Sequence, residues 1–437
     1  MKIILLCIAV SMFLSSFSVS QDFYSHVDFN LTGAGARAEG FGGAFIGLAD
    51  DATAVVWNPA GLTQLERAEA SVVSRYIQKN SDFTNNIQKT LNSDNTNTHL
   101  NFNFGSFAMP LSLMKIKFVA AVSYQRQLDF NGYVANNDER TDFQGNKIIF
   151  RDVKKNAGGV NTITPAIGIK ISPMIAVGFA ANIWTGKNDI NNKRTHSDKI
   201  ANSLDYSATF SGFNFAVGGM LDFEGMKKGF PLKIGASVKS PFKLSSKGDA
   251  HHVRFDPPPA VDAKLKSNHT IDMPLMVGVG ASYRIGENLT IASDFEMRNF
   301  SGKNITIQNI GITVQNAPPL PISKSGSDLN EFRLGAEYLL VFEKAVIPIR
   351  AGFKTVPTVF SDLSVSFTST ATGNEIRFDP TGEQVRGIAI ALGSGFISNL
   401  FAFDLALSAQ SYTQKVGKDA KVDFLIGTLS SSVIIYF

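Results

Sequence analysis

The stretch 289–298, LTIASDFEMR, sets Leu289, Ile291, Phe295 and Met297 on alternate positions and leaves Asp294, Glu296 and Arg298 between them. Side chains that alternate with a period of two belong to an extended strand with two chemically different faces. A helical period of 3.6 would scatter the same charges around the circumference. The alternation recurs at 116–125, where Ile116, Phe118, Ala120, Val122 and Tyr124 oppose Lys117, Ser123 and Gln125. It recurs again at 401–407, with Phe401, Phe403, Leu405 and Leu407 against Asp404.

From residue 69 onward, fourteen such segments are predicted: 69–79, 99–109, 114–127, 159–172, 174–185, 205–223, 230–240, 272–285, 288–298, 330–341, 345–355, 385–397, 400–411 and 422–437. Short links alternate with long polar ones, at 128–158, 186–204, 241–271, 299–329 and 356–384. Tight turns on one rim, long loops on the other and an even strand number predict an all-β membrane protein, a fourteen-stranded antiparallel outer-membrane β-barrel. A soluble sandwich has no reason to sort its connections by length.

Composition agrees with this reading. Charged residues make up 18 % of the 437, against a usual share of about 25 %. The net charge of +4 implies no broad basic surface, so no nucleic-acid partner is expected. A mean hydropathy of +0.04 is too low for a helical membrane bundle but suits a barrel, in which only alternate side chains meet lipid. Cys7 is the only cysteine, which excludes a disulfide or zinc scaffold.

Lys2 precedes an apolar run that ends at Ser18-Val19-Ser20, so residues 1–20 are expected to be a cleaved secretory signal peptide. The chain is therefore expected in the bacterial cell outer membrane, among its lipids. At the other end Leu429, Ser431, Val433 and Ile435 alternate up to Tyr436 and Phe437. That ending resembles the C-terminal recognition signal of bacterial outer-membrane barrels, and the resemblance implies the barrel-assembly machinery as a partner.

Residues 21–68 read differently from the wall at 69–437. Ala34, Gly35, Ala36, Gly42, Gly43, Ala44 and Gly47 make this segment rich in small residues. Asp50 can cap a short helix over 51–57, and Pro59 stops it, because the residue before proline leaves the α region. A compact piece with short helices at a barrel mouth is expected to fold inward as an N-terminal hatch, or plug.

The stretch Gly33 to Leu65, GAGARAEGFGGAFIGLADDATAVVWNPAGLTQL, resembles the hatch of the FadL-type long-chain fatty-acid transporter superfamily. Its markers are Asp50-Asp51 before Ala52 and the triplet Asn58-Pro59-Ala60 before Gly61-Leu62. The resemblance implies passive lipid transport: an outer-membrane transporter for hydrophobic or amphipathic small molecules, such as long-chain fatty acids. It also implies an opening in the barrel wall at an irregular third strand, and a ligand near Asn58, Pro59 and Ala60. The third segment, 114–127, holds neither Gly nor Pro, and Gly105 in the second is the nearest candidate for an irregularity. The same hatch style resembles PorV-like barrels associated with secretion, which bind protein partners; this is the alternative reading.

Other patterns carry less. Gly33-Ala34-Gly35-Ala36-Arg37-Ala38 fits a dinucleotide fingerprint but lacks the βαβ unit that fingerprint needs. His251-His252 beside Asp256 lack metal-ligand spacing, and no nucleophile–base or paired-carboxylate grouping can be assembled. No enzymatic activity, cofactor or metal site is expected. Alternation turns Asp294, Glu296, Arg298, Glu331, Arg333, Glu337, Arg350 and Lys354 into the lumen. One of the cations Arg298, Arg333, Arg350 or Lys354 is the expected partner for the head group of an amphiphile.

Overall fold

The computed structural model describes residues 31, 33–86, 93–114, 116–141, 147–196, 199–225, 230–255, 260–303, 326–370 and 373–437. The expected signal segment 1–20 with Cys7, the hatch residues 21–30, and Asp256 lie outside the described residues. Seventeen strand segments follow two short helices, α1 (Ala36–Gly40) and α2 (Ala54–Trp57), and a 3-10 helix (Pro59–Gln64). They are β1 (Glu69–Asn85), β2 (Ser93–Leu113), β3 (Ile116–Asp129), β4 (Gly132–Thr141), β5 (Lys147–Lys170), β6 (Ile175–His196), β7 (Lys199–Asp222) and β8 (Leu232–Lys239). The remainder are β9 (Phe242–Arg254), β10 (Val261–Met273), β11 (Met276–Ile285), β12 (Leu289–Arg298), β13 (Leu329–Val341), β14 (Val346–Thr370), β15 (Gly373–Ile397), β16 (Phe401–Val416) and β17 (Ala420–Tyr436).

These form fourteen wall strands. Three of them are interrupted: β3 continues as β4 after Phe130-Asn131, β8 as β9 after Ser240-Pro241, and β10 as β11 after Pro274-Leu275. Antiparallel pairing runs around the whole circle and closes through β17 on β1, from Glu69–Tyr436 to Asn85–Ala420. The closed ladder removes the open sheet edges that a flat sheet would carry. The amide of Phe437 donates to the carbonyl of Ala68 at 2.9 Å, so the hatch exit and the C-terminus share the short-turn rim.

The outward face is apolar, with Phe179, Ile183, Phe213, Val217, Ile291, Phe295, Ile390 and Leu405 exposed. The inward face carries the polar set: Asp294, Glu296, Arg298, Glu331, Arg333, Glu337 and Arg350 are all buried, and Lys354 is half-buried. A wall that is apolar outside and polar inside, closed on itself, belongs in a lipid bilayer; the protein is a bacterial outer-membrane barrel. No helix among the described residues is long and apolar enough to cross a membrane.

The expected long loops are corrected by the structure. The gaps 128–158, 186–204, 241–271 and 356–384 are filled by strand arms, paired as far as Thr141–Lys147, His196–Lys199, Arg254–Val261 and Thr370–Gly373. On these arms the outward face meets water instead of lipid, while inward side chains such as Ile190, Tyr206, Ala208 and Ala250 stay buried. The backbone ladder therefore continues while the apolar alternation that marks it in sequence fades. In the remaining gap, 304–325 lie outside the described residues.

Candidate functional site

The hatch occupies the lumen from the short-turn side, and it is seated on glycines. Gly168, Gly178 and Gly218 stand side by side on β5, β6 and β7, and the Asn58-Pro59-Ala60 turn lies directly against them. A Cβ at Gly178 would come within 2.2 Å of the Pro59 carbonyl carbon, and one at Gly218 within 2.1 Å of Asn58 Oδ1. Asn58 is fully buried. Its Oδ1 accepts from the Ala60 amide at 3.2 Å, and its Nδ2 donates to the carbonyls of Ile46 (3.0 Å) and Gly219 (3.1 Å). The triplet thus caps the 3-10 helix and ties the hatch to the wall. A second seat holds Phe41-Gly42 against Gly335 and Gly352, and in a third Asp294 Oδ2 accepts from the amides of Phe45 (2.6 Å) and Ile46 (2.7 Å).

Asp50 does not cap the helix. It pairs with Arg37, while Asp51 accepts from the amide and hydroxyl of Thr53, at the start of α2. Asp51 reaches only the Thr53 residue that precedes the helix, and the first turn of α2 has no side-chain cap. Burial pushes the Asp51 carboxyl above its ordinary value, against the pull of Arg37. Burial acts on Glu39 in the same direction, but Arg75, at 2.7 Å, and Lys354 outweigh it and hold that carboxyl low.

The lumen charges form two connected groups. In the first, Arg298 and Arg333 each contact both Glu296 and Glu331, with Arg333 at 3.1 and 2.9 Å. In the second, Arg350 bridges Glu337 (2.6 Å) and Asp404 (2.7 Å), and Glu337 also takes Arg37 of the hatch at 3.1 Å. Of the four expected head-group cations, three are therefore in carboxylate pairs. Lys354 is in none, and the same holds for Lys239, which alternation alone did not single out.

Both lysines line a cavity of about 50 Å³ between hatch and wall, together with Trp57, Arg298, Arg333, Glu39, Glu296 and Glu331. Asn58, Pro59 and Ala60 do not line it. The Arg333 guanidinium lies over the Trp57 ring, 5.4 Å from its centroid. Among the described residues no group of three His, Cys, Asp or Glu side chains could hold a metal. His251 pairs with Asp262 at 2.8 Å, and His252 with Asn202 at 3.0 Å.

The third wall strand is irregular after all, just beyond the segment legible in sequence. Its register with β5 shifts between Arg126 and Leu128, and the strand breaks at Phe130-Asn131. The signal lies on the neighbouring strand, in Gly158-Gly159. Gly158 has a φ of +116°, and a Cβ on Gly159 would come within 2.3 Å of the Leu128 carbonyl oxygen. On the other side the ladder between β2 and β3 ends at Phe104–Gln125. Above that point the seam is held by side chains: His99 Nε2 meets Asp129 Oδ2 at 2.8 Å and Asn101 donates to the same oxygen, while Asn131 Nδ2 on Asp129's own strand donates to Oδ1 at 2.8 Å.

Inside the break, Leu128 and Phe130 enter a buried apolar cluster with Trp184, Leu244, Ile271 and Phe300, packed on Leu31 of the hatch. These side chains come from strands around the barrel, so they form an apolar layer across the lumen on the arm side of the hatch.

The chain is thus a closed fourteen-stranded outer-membrane barrel, filled by its N-terminal segment and broken in its third strand. The chain belongs to the BamG family, whose sequence profile matches residues 3–338. Among solved structures it is similar to a Pseudomonas aeruginosa FadL homologue (TM-score 0.61, 10% identity, 94% of this chain and 100% of that one). It is also similar to the P. putida toluene transporter TodX (0.58, 10%, 94% and 99%) and the Ralstonia pickettii toluene transporter TbuX (0.53, 14%, 94% and 100%). No curated protein matches the sequence.

Proposed function

We propose that the protein passes a hydrophobic or amphipathic small molecule, of the long-chain fatty-acid kind, through its wall by passive diffusion, without a cofactor. The observation that carries this reading is the meeting of the apolar layer with the wall at Leu128 and Phe130, where the third strand breaks and side chains alone close the seam. An apolar molecule leaving water for such a layer gains about 25 cal/mol per Å² buried. The polar lumen below offers no comparable gain. Similarity of fold to barrels named as toluene transporters supports the same reading. Replacement of Phe130 by Asp places a charge in the layer and is expected to cut entry of a fluorescent hydrophobic probe into proteoliposomes severalfold, with heat-modifiable gel mobility retained. Unchanged entry would remove the layer from the route.

A second reading, a barrel that works by binding protein, rests on the likeness of the Gly33–Leu65 hatch segment to PorV-like barrels. The strand arms would serve as the docking surface. Native mass spectrometry of gently extracted protein separates the two, through a co-purifying lipid or a co-purifying polypeptide. Under either reading the C-terminal strand, with Phe437 exposed at the short-turn rim, suits recognition by the barrel-assembly machinery. Truncation of Phe437 is expected to lower the amount of protein in the outer membrane.

A further inference from the structure

The cavity between hatch and wall holds more positive charge than its carboxylates can take up. Lys239, Arg298, Arg333 and Lys354 line it, against Glu39, Glu296 and Glu331. Glu39 is also claimed by Arg75, and Asp294, behind Arg333, has its Oδ2 occupied by two hatch amides. Counting Arg75 and Asp294 with the lining groups gives five cations and four carboxylates.

Polar groups here also lack partners. Arg333 and Ser237 are only 4 % and 5 % exposed. Arg333 Nη1 and Ser237 Oγ are buried without a hydrogen bond, and both residues line the cavity. Buried donors left unmade cost about 1–3 kcal/mol each, more when charged. Lys239 and Lys354 face the same cavity with no carboxylate in ion-pair contact among the described residues. Strand register explains why the groups converge: Ser237, Gly278, Glu296 and Glu331 form one row across β8, β11, β12 and β13, flanked by Lys239 in line with Arg298 and by Arg333 in line with Lys354.

We propose that this cavity binds a small oxyanion of the phosphate or sulfate class, held by Lys239, Lys354, Arg333 Nη1 and the Ser237 hydroxyl, and that the anion fastens the hatch to the wall. A volume near 50 Å³ is of the size of such an ion. The site does not depend on passage of a hydrophobic ligand through the seam.

The test uses full-length protein in detergent, dialysed into an oxyanion-free buffer. Inorganic phosphate, added at an ionic strength matched with sodium chloride, is expected to bind saturably by calorimetry, raise the unfolding temperature, and protect residues 36–65 from hydrogen exchange. Lys239→Met should weaken phosphate binding at least about tenfold, as expected for one charge-assisted hydrogen bond. It should also raise the unfolding temperature in phosphate-free buffer, because it removes an uncompensated charge. The surface change Lys247→Met should alter neither. A phosphate effect no larger than that of chloride, or phosphate affinity unchanged in Lys239→Met, overturns the proposal. Binding of dodecanoate but not phosphate at Lys239 would overturn it as well, by assigning the site to a ligand head group.

Discussion

At the scale of single residues, the hatch is fixed by atoms that touch the wall without space between them. Gly352 is the clearest case: a Cβ there would lie 2.0 Å from the Gly42 nitrogen, and Gly42 itself sits at a φ of +65°. Neither side can yield by rotating a side chain. Gly352→Ala is therefore expected to weaken hatch seating by about 1–3 kcal/mol, the usual cost of overpacking. It should leave the barrel closed, which limited proteolysis of residues 31–68 together with heat-modifiable mobility will show. The ion pairs respond to pH. Glu39 is held below its usual 4.5, so the Glu39–Arg75 tie is fully present above that value and is lost as pH falls through the depressed one. Asp51 carries the opposite sign, since its raised value means that protonation relieves its burial. Acid is thus expected to reduce hydrogen-exchange protection at 36–43 while sparing 51–57. Equal loss in both segments would contradict the assignment. Arg75→Met, which leaves Glu39 with the more distant Lys354 alone among its cations, should reproduce the first effect in part at neutral pH.

Much of this scale was legible beforehand, and the reasons are physical. A period of two places a side chain on one face or the other, so the inward set from Asp294 to Lys354 could be read from spacing alone. Which cation meets which carboxylate depends on register between strands that lie far apart in sequence, as with Arg37 and Glu337. Lys239 escaped notice because its strand is short and its neighbour Ser237 is neutral. Pro59 was legible as a helix stop, whereas the contact of Asn58 and Pro59 with Gly178 and Gly218 requires the barrel to exist first.

At the scale of elements, the arms and the break in the third strand show where hydrophobic patterning stops informing. Asn, Asp, Lys and Ser on both faces of β4, β9 and β10 erase alternation, yet the ladders persist because backbone pairing needs no apolar face. The break at Phe130-Asn131 has no Gly or Pro of its own. It is imposed by Gly158-Gly159 across the ladder, which permit the bulge, and it is stapled by Asp129. Removing that carboxylate frees His99 and Asn101 together. Asp129→Ala is expected to speed amide exchange over 126–131 and 158–160 by an amount equivalent to about 3 kcal/mol, two hydrogen bonds to a charged group. The paired stretch 116–125 should stay protected. If the seam is the route for a hydrophobic molecule, probe entry into proteoliposomes should rise in the same variant, whereas a barrel that only binds protein would show the exchange effect alone.

At the scale of the whole molecule, three layers close the lumen in series: a hatch seated on wall glycines, a charge network that joins Arg37 of the hatch to Glu337, Arg350 and Asp404 of the wall, and the apolar layer above. Each layer blocks a different traveller. Ions face a dry apolar layer, and apolar molecules face the buried charges. A molecule that passes both ways along the barrel axis is excluded by the combination, so any hydrophobic cargo has to enter and leave without crossing the charge network, through the wall. Planar-bilayer recording of the intact protein should accordingly show no ohmic conductance. Removing residues 31–65 takes out the hatch and Arg37 with it, leaving Glu337 and Arg350 paired on the wall, and the apolar layer loses the support of Leu31. Conductance is expected to appear in that variant, and without cation preference, because Glu39, Asp50 and Asp51 leave together with Arg37. Persistent closure after hatch removal would mean that the apolar layer seals the barrel by itself. Conductance in the intact protein would mean that the layers do not act in series.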